Sequence, residues 1–133
     1  MPLISAYHEF ESINLTEIDR KSSANKLIED RNLGGIWTIL SEDKLIGYIA
    51  LCKGYSIEFG GLDAFVDEFY IQPEYRGKGI GTEVLELIKL EARKIEIRAI
   101  HLEVAHTNHK AKKLYSKAGF REREKYILMS VNL

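Results

Sequence analysis

The spacing of apolar residues changes several times along this chain, and that change constrains the fold more than any other feature. Residues 1–30 carry apolar side chains at helical spacing, the strand-like segments "IWTIL", "KLIGYIAL" and "DAFVDEFYI" follow, and residues 80–95 return to helical spacing. The strand pattern "AIHLEV", the helical pattern "NHKAKKLYSKAGF" and the alternating "YILMSVNL" complete the chain. The predicted order, α-α-β-β-β-α-β-α-β, favours an α/β (α+β) fold with a mixed central sheet flanked by helices.

Length and composition are those of an ordinary globular protein. The chain has 133 residues, of which 45% are hydrophobic and 29% charged, and it shows neither repeats nor a linker-like tract, so we expect a single domain over residues 1–133. Its formal net charge of −1 gives no general attraction to nucleic acid. No signal-peptide pattern is present, no apolar run approaches about 18 residues, and the lone Cys52 has no internal disulfide partner. We therefore expect a cytoplasmic protein that binds neither nucleic acid nor membrane.

The glycine-rich stretch "QPEYRGKGIGT", residues 72–82, leads directly into a helical pattern. Glycine allows positive φ angles and the close approach of a ligand to the backbone. The first amides of a helix have no internal partner and carry partial positive charge, to which Arg76 and Lys78 add their own. The stretch therefore predicts an anion site, with a plain strand-to-helix turn as the alternative.

Two common phosphate-binding patterns do not fit this stretch. A Walker loop, G-x-x-x-x-G-K-S/T, requires Ser or Thr after Lys78, where the chain has Gly79. A dinucleotide fingerprint, G-x-G-x-x-G, would end at Thr82 when counted from Gly77, or at Val84 when counted from Gly79, and neither is glycine. If the stretch binds a phosphate, it does so through a pattern other than these two.

The run R-G-K-G-I-G, after a strand ending "FYIQPEY", resembles the acyl-CoA pyrophosphate loop of the GNAT N-acetyltransferase superfamily. The signature of that loop is Arg or Gln, two residues, Gly, one residue, and Gly or Ala, and Arg76, Gly79 and Gly81 match it. A second motif of the family lies in "LEVAHTNHKAKKLYSKAGF" and consists of Asn108, Ala111, Leu114, Tyr115, Gly119 and Phe120. The two motifs occur in the family's order, and the resemblance covers residues 16–133.

The resemblance implies that acetyl-CoA is the co-substrate and that backbone groups hold most of it. The pantetheine arm would pair with the end of the preceding strand as if it were an added strand. Asn108 would contact the pantetheine or help to place the last helix, and Ala111 belongs to the same implied binding segment. The implied strand residues are Phe69, Tyr70 and Ile71, and the implied pyrophosphate-loop residues are Arg76, Gly77, Lys78, Gly79, Ile80, Gly81 and Thr82.

Acetyl transfer to an amine needs a neutral amine, a polarised carbonyl and a proton for the departing thiolate. Tyr115 stands where many members of the family use a tyrosine hydroxyl as that acid, and packing in the core is the alternative. Asp67 and Glu68 are candidate bases, and an exposed or salt-bridged strand end is their alternative. His101, His106 and His109 lack the spacing of a metal site, so no metal is expected.

The function implied by the resemblance is transfer of the acetyl group of acetyl-CoA directly to a primary amine of a small molecule or a protein. A non-catalytic acyl-CoA-binding or regulatory module is the alternative. The family usually begins with a strand before its first helix, and the pattern here begins with a helix, so we expect this chain to lack that first strand. A homodimer could cover the sheet edge left exposed. The amine acceptor has no signature in the sequence.

Overall fold

The computed structural model describes residues 2–11 and 13–133. In it the chain forms two compact units, Met1–Glu103 and Val104–Leu133. The single domain expected from the sequence stays a prediction. The first unit contains helices α1 (Pro2–Phe10), α2 (Glu17–Glu29) and α3 (Ile80–Lys94), a short 3-10 helix (Pro73–Tyr75), and strands β1 (Gly34–Ser41), β2 (Lys44–Ser56), β3 (Gly61–Ile71) and β4 (Ala99–His101). The second unit contains helix α4 (His109–Lys117).

A four-stranded sheet in the order β1-β2-β3-β4 organises the first unit. β2 is antiparallel to both β1 and β3, whereas β4 is parallel to β3, so the predicted mixed sheet with helices is confirmed. The β1–β2 hairpin turns at Glu42 and Asp43, whose φ angles of 50° and 64° are both positive. Two positive φ angles in a two-residue turn match the twist of the flanking strands.

The largest fully buried side chains lie on β2 and α3, namely Ile46, Ile49, Leu51 and Leu85. α3 buries Leu85, Ile88 and Ala92, which are three and four residues apart and therefore share one face of the helix. Leu87 of the same helix is 56% exposed and therefore lies outside this buried face.

The predicted terminal strand "YILMSVNL" is wrong. Residues 121–133 contain no strand and are exposed throughout, with Ile127 at 82% and Met129 at 84%. Alternation of apolar side chains makes a strand only where another strand accepts its hydrogen bonds, and residues 104–133 contain none. Similarly, β4 covers only Ala99–His101 of the predicted "AIHLEV", with three residue pairs to β3.

The first described element is helix α1, in keeping with a pattern that begins with a helix. No helix among residues 2–11 and 13–133 has the length and apolar character required to cross a membrane.

Candidate functional site

The glycine-rich loop connects the end of β3 to α3 through the short 3-10 helix. Gly77 and Gly79 have φ angles of 76° and 83°, in the left-handed region that glycine enters without strain. A Cβ atom built on either residue would meet no other atom within 4 Å. Packing therefore does not require these glycines. They give the loop its conformation and leave space directly beside its backbone.

The N-terminus of α3 differs from those of α2 and α4, each of which has a side-chain cap. Thr16 caps α2 by accepting a hydrogen bond from the amide of Asp19 at 3.1 Å, and Asn108 caps α4 by accepting one from the amide of Ala111 at 3.2 Å. α3 begins after Gly79 with no side-chain cap. The first amides of this 15-residue helix donate to no side-chain cap and lie at the positive end of its dipole, an arrangement that suits the binding of an anion.

Basic side chains flank the loop in two different ways. The Nζ atoms of Lys78 and Lys44 lie 5.7 Å and 5.9 Å from the centre of the Tyr75 ring, so two cations from different elements share one aromatic residue. The Nε of Arg76 donates a hydrogen bond to the carbonyl of Ile71 at 2.7 Å, and its guanidinium lies 5.3 Å from the Tyr70 ring. In this geometry Arg76 fastens the loop to the end of β3.

One edge of β3 lacks a strand partner over its C-terminal half. β2 pairs with β3 from Gly61 to Ile71, whereas β4 pairs only with residues 63–65. Beyond Phe65, no other strand of the described residues hydrogen-bonds to that second edge. The edge ends at the glycine loop, so an extended ligand that pairs with residues 69–71 would lead toward the anion site.

A β-bulge interrupts β3 at the two candidate bases. Ala50 of β2 pairs with Glu68 and Leu51 pairs with Val66, so Asp67 is the extra residue on β3. A bulge bends its strand and changes the direction of local side chains. Asp67 and Glu68 therefore do not simply alternate between faces as they would in a regular strand.

The Glu68 carboxylate accepts hydrogen bonds at both oxygens. Its Oε1 accepts from the hydroxyl of Tyr48 at 2.7 Å, and its Oε2 lies 2.5 Å from Nε2 of His8. The Nδ1 of His8 lies 3.0 Å from Nε of Arg20. The pKa of Tyr48 is raised well above its usual range, first by burial and then by the hydrogen bond to Glu68, so Tyr48 remains a donor.

The Asp67 carboxylate has a different environment. No hydrogen bond or ion pair to it occurs within residues 2–11 and 13–133. Although the residue is solvent-exposed, neighbouring protein atoms remove part of the water around its carboxyl group, which raises its pKa, and the charge of Glu68 raises it further. The adjacent carboxylates of Asp67 and Glu68 thus differ in their hydrogen-bond partners. The raised pKa of Asp67 suits that residue to accept a proton.

The second unit holds the remaining predicted residues, Asn108, Ala111 and Tyr115. The Asn108 side chain caps α4, and its predicted contact with pantetheine stays a prediction. Tyr115 is half-buried, and its ring packs edge-on against that of Phe120 with centres 5.8 Å apart. The structure thus collects the glycine loop, β3 and the two carboxylates in one unit, and the C-terminal motif in the other.

Three residues near the carboxylates were missed in the sequence: His8, Arg20 and Tyr48. The only signal was a histidine inside the apolar helical pattern that contains Tyr7. The helical pattern does not indicate that this histidine contacts Glu68 or Arg20.

Comparison with known proteins gives consistent matches. The family model described as the acetyltransferase (GNAT) family matches residues 3–120. The chain is 31% identical over 99 residues to an uncharacterized N-acetyltransferase of Bacillus subtilis, a match that covers 74% of this chain and 61% of the relative. It is 32% identical over 78 residues to thialysine N-epsilon-acetyltransferase of Sus scrofa, which covers 59% of this chain and 45% of the relative.

A solved structure of an integron cassette protein from the mobile metagenome of Cole Harbour Salt Marsh has the same fold. It superimposes with a TM-score of 0.85 at 32% identity, covering 98% of this chain and 80% of that one. The chain spans between 44% and 61% of the length of the curated relatives that it matches.

Proposed function

Because the chain belongs to the GNAT acetyltransferase family, we propose that it transfers the acetyl group of acetyl-CoA directly to a primary amine. The observation that carries this proposal is the glycine loop at the uncapped start of α3. It lies at the end of a strand edge that has no strand partner beyond Phe65. An edge that accepts an extended arm and leads to an anion site fits the pantetheine and pyrophosphate of an acyl-CoA.

In this proposal the donor is held mainly by backbone groups. The pantetheine amides pair with residues 69–71 on the second edge of β3, and the amides of residues 77–82 bind the pyrophosphate. Lys78 and Lys44 add positive charge near the loop. Arg76 supports the loop from the end of β3, and Asn108 holds the start of α4, the helix that carries Tyr115.

The two carboxylates at the bulge take different roles at the acceptor amine. Glu68 has both oxygens hydrogen-bonded, so its orientation is fixed, and it anchors the ammonium group of the substrate. Asp67 has no such donors and a raised pKa, so it accepts the proton that the ammonium must lose. This division follows the general pattern of paired carboxyl groups in different environments.

The reaction then follows in balanced steps. The ammonium gives one proton to Asp67, and the nitrogen lone pair attacks the thioester carbon to form the C–N bond. The C–S bond breaks, and its electron pair leaves with the sulfur as a thiolate. Tyr115 protonates the thiolate, and the second proton lost by the nitrogen replaces the one that Tyr115 gave. Asp67 then releases its proton to solvent, so the products are the N-acetylated amine, free coenzyme A and one proton.

A small cationic molecule with a primary amine is the acceptor class that we propose first. Sequence similarity to a thialysine N-epsilon-acetyltransferase supports this choice. The carboxylate pair supports it as well, because anionic groups attract a cationic substrate. Amines of proteins are the second class.

The test is release of free thiol from acetyl-CoA by the purified chain with a panel of amines: thialysine, lysine, polyamines, aminoglycosides and peptides with free N-termini. We expect thiol release that depends on at least one small cationic amine, together with binding of coenzyme A in calorimetry. No binding of coenzyme A at high micromolar concentration would contradict the proposed donor site. Tight binding without release for any amine would favour the alternative, a non-catalytic acyl-CoA-binding module.

A further inference from the structure

We propose that His8 is a positioning residue for the acetyl transfer, because its ring holds the Glu68 carboxylate in place beside the bulge of β3. This inference rests on the proposed function and adds to it a residue from α1. The chain of hydrogen bonds runs from Arg20 on α2 to His8 on α1, and from His8 to Glu68 on β3. Tyr48 on β2 completes it from the other side of the carboxylate.

The hydrogen-bond pattern fixes which nitrogen of His8 carries the proton. Arginine can only donate, so the 3.0 Å contact from Nε of Arg20 requires an unprotonated Nδ1 on His8. The ring is then neutral, and its proton lies on Nε2, where it is donated to Oε2 of Glu68 across 2.5 Å. While Arg20 occupies Nδ1, His8 cannot pass a proton onward. Its role is therefore to orient the carboxylate and not to relay protons.

Arg20 is itself held firmly, which makes the His8 ring a rigid support. One terminal nitrogen of its guanidinium donates to Glu17 at 2.8 Å, and the other donates to the carbonyl of Leu15 at 3.1 Å. The Arg20 side chain is 13% exposed and that of His8 is 5% exposed. Both nitrogens of the imidazole are thus paired inside the protein, and water does not compete effectively for them.

Orientation matters at this carboxylate because its side chain is otherwise flexible. Glu68 has several rotatable bonds and sits next to the extra residue of the bulge. Two donors at opposite oxygens, from His8 and Tyr48, restrict it to one position. In an acyl-transfer site, a displacement of about 1 Å in a positioning group can reduce the rate by on the order of 10²-fold.

The same contacts would be present if His8 only stabilised the packing of α1 against the sheet. The test must therefore separate this structural role from the positioning of Glu68 for the reaction. The matched pair is His8→Gln and His8→Asn. Both place a polar amide in the buried site, but only the Gln side chain is long enough for its amide NH₂ to stand in for Nε2 and reach Glu68. We expect kcat of H8N to fall at least about 10-fold and kcat of H8Q to stay within about 3-fold of the wild type. The Kd of coenzyme A should stay within about 2-fold in both.

Two results would overturn the positioning role: unchanged kcat in H8N, or equal losses of kcat in H8N and H8Q when both are folded by circular dichroism. A second measurement applies if H8N does not fold. The protein labelled with ¹⁵N-histidine has four histidines, and H8Q identifies the His8 signals by their disappearance. We expect a neutral ring with its proton on Nε2, shifted by Glu68→Gln. A ring protonated on Nδ1, or on both nitrogens, contradicts the inference.

The kinetic and NMR measurements also distinguish failure of this inference from failure of the proposed function. Absence of wild-type turnover with every amine overturns the proposed function and the positioning role of His8 together. In that case the nitrogen spectra still decide the His8–Glu68 geometry. Normal wild-type turnover with normal turnover of H8N overturns the role of His8 alone.

Discussion

The donor end of the proposed site is formed by backbone groups, whereas the acceptor end is formed by side chains. The donor end consists of backbone: the second edge of β3, two glycines with positive φ and the uncapped start of α3. The acceptor end consists of side chains from three elements, namely Glu68 on β3 with its donors His8 on α1 and Tyr48 on β2. A backbone site tolerates changes of side chain but not of chain conformation, whereas a side-chain site should be sensitive to the loss of single atoms.

The largest expected effect is at the acceptor end. Asp67→Asn removes the proposed proton acceptor, so kcat with the preferred amine should fall by about 10²–10⁴-fold. Since residues 69–71 and the glycine loop are unchanged, the Kd of coenzyme A by calorimetry should not change. Asp43→Asn, in the β1–β2 turn, is the control and should keep the wild-type kcat. Wild-type turnover in D67N would remove Asp67 from the mechanism.

The next effect is at the donor end. Gly79→Ala should raise the Kd of coenzyme A at least about 10-fold, because a methyl group would occupy the open space beside the loop and the φ of 83° would be strained. The strain should lower the free energy of unfolding by about 1–2 kcal/mol. Gly60→Ala is the matched control, since Gly60 has a φ of 80° and a similarly uncrowded Cβ position outside the loop.

Gly60→Ala should lose similar stability and keep the wild-type affinity for coenzyme A. Gly79→Asn adds a further distinction, because asparagine tolerates the left-handed region better than alanine. It should recover part of the stability and none of the affinity. If Gly79→Ala and Gly60→Ala weakened coenzyme A binding equally, strain alone would explain the loss and the phosphate site would be contradicted.

The same difference between a backbone site and a side-chain site explains which features could be predicted from the sequence. The glycine loop and the motif from Asn108 to Phe120 are each contiguous, so their spacing could be recognised in the sequence alone. The Glu68 network was not readable, because His8 and Tyr48 lie 60 and 20 residues away from Glu68 along the chain. The terminal strand failed for a related reason, since its alternation says nothing about a partner strand.

A smaller effect tests how strongly the acceptor end depends on single atoms. Tyr48→Phe removes only the hydroxyl that donates to Oε1 of Glu68. The free energy of unfolding should fall by about 1.5–3 kcal/mol, the usual range for a hydrogen bond to a charged group, and kcat should fall by less than in D67N because His8 still holds the other oxygen. Thr82→Val is the comparison at the donor end: it keeps the backbone amide, so coenzyme A affinity should not change. A large loss of affinity in T82V, with no effect of Y48F on kcat, would reverse the contrast between the two ends.

The smallest effect concerns stability and pH. Burial, and then Glu68, raise the pKa of Asp67 above its usual value of 3.8, so the folded state binds this proton more tightly than the unfolded state. The stability associated with that proton is present below pH 3.8 and is lost as the pH rises through the raised pKa. Asp67→Asn, which does not ionise, should therefore melt at a slightly higher temperature than the wild type at pH 7–8, and the difference should disappear in acid.

Glu122 provides the control of opposite sign. A hydrogen bond from Lys112, at 3.0 Å, holds the pKa of Glu122 below its usual value of 4.5. The stability associated with this pair is present above that value and is lost as the pH falls through the lowered pKa. Glu122→Gln should therefore be slightly less stable than the wild type at pH 7–8, with no difference in acid. Thermal melts of both variants between pH 3 and pH 8 check the two signs together, and a destabilised D67N at pH 8 would show that Asp67 has a favourable partner when it is ionised.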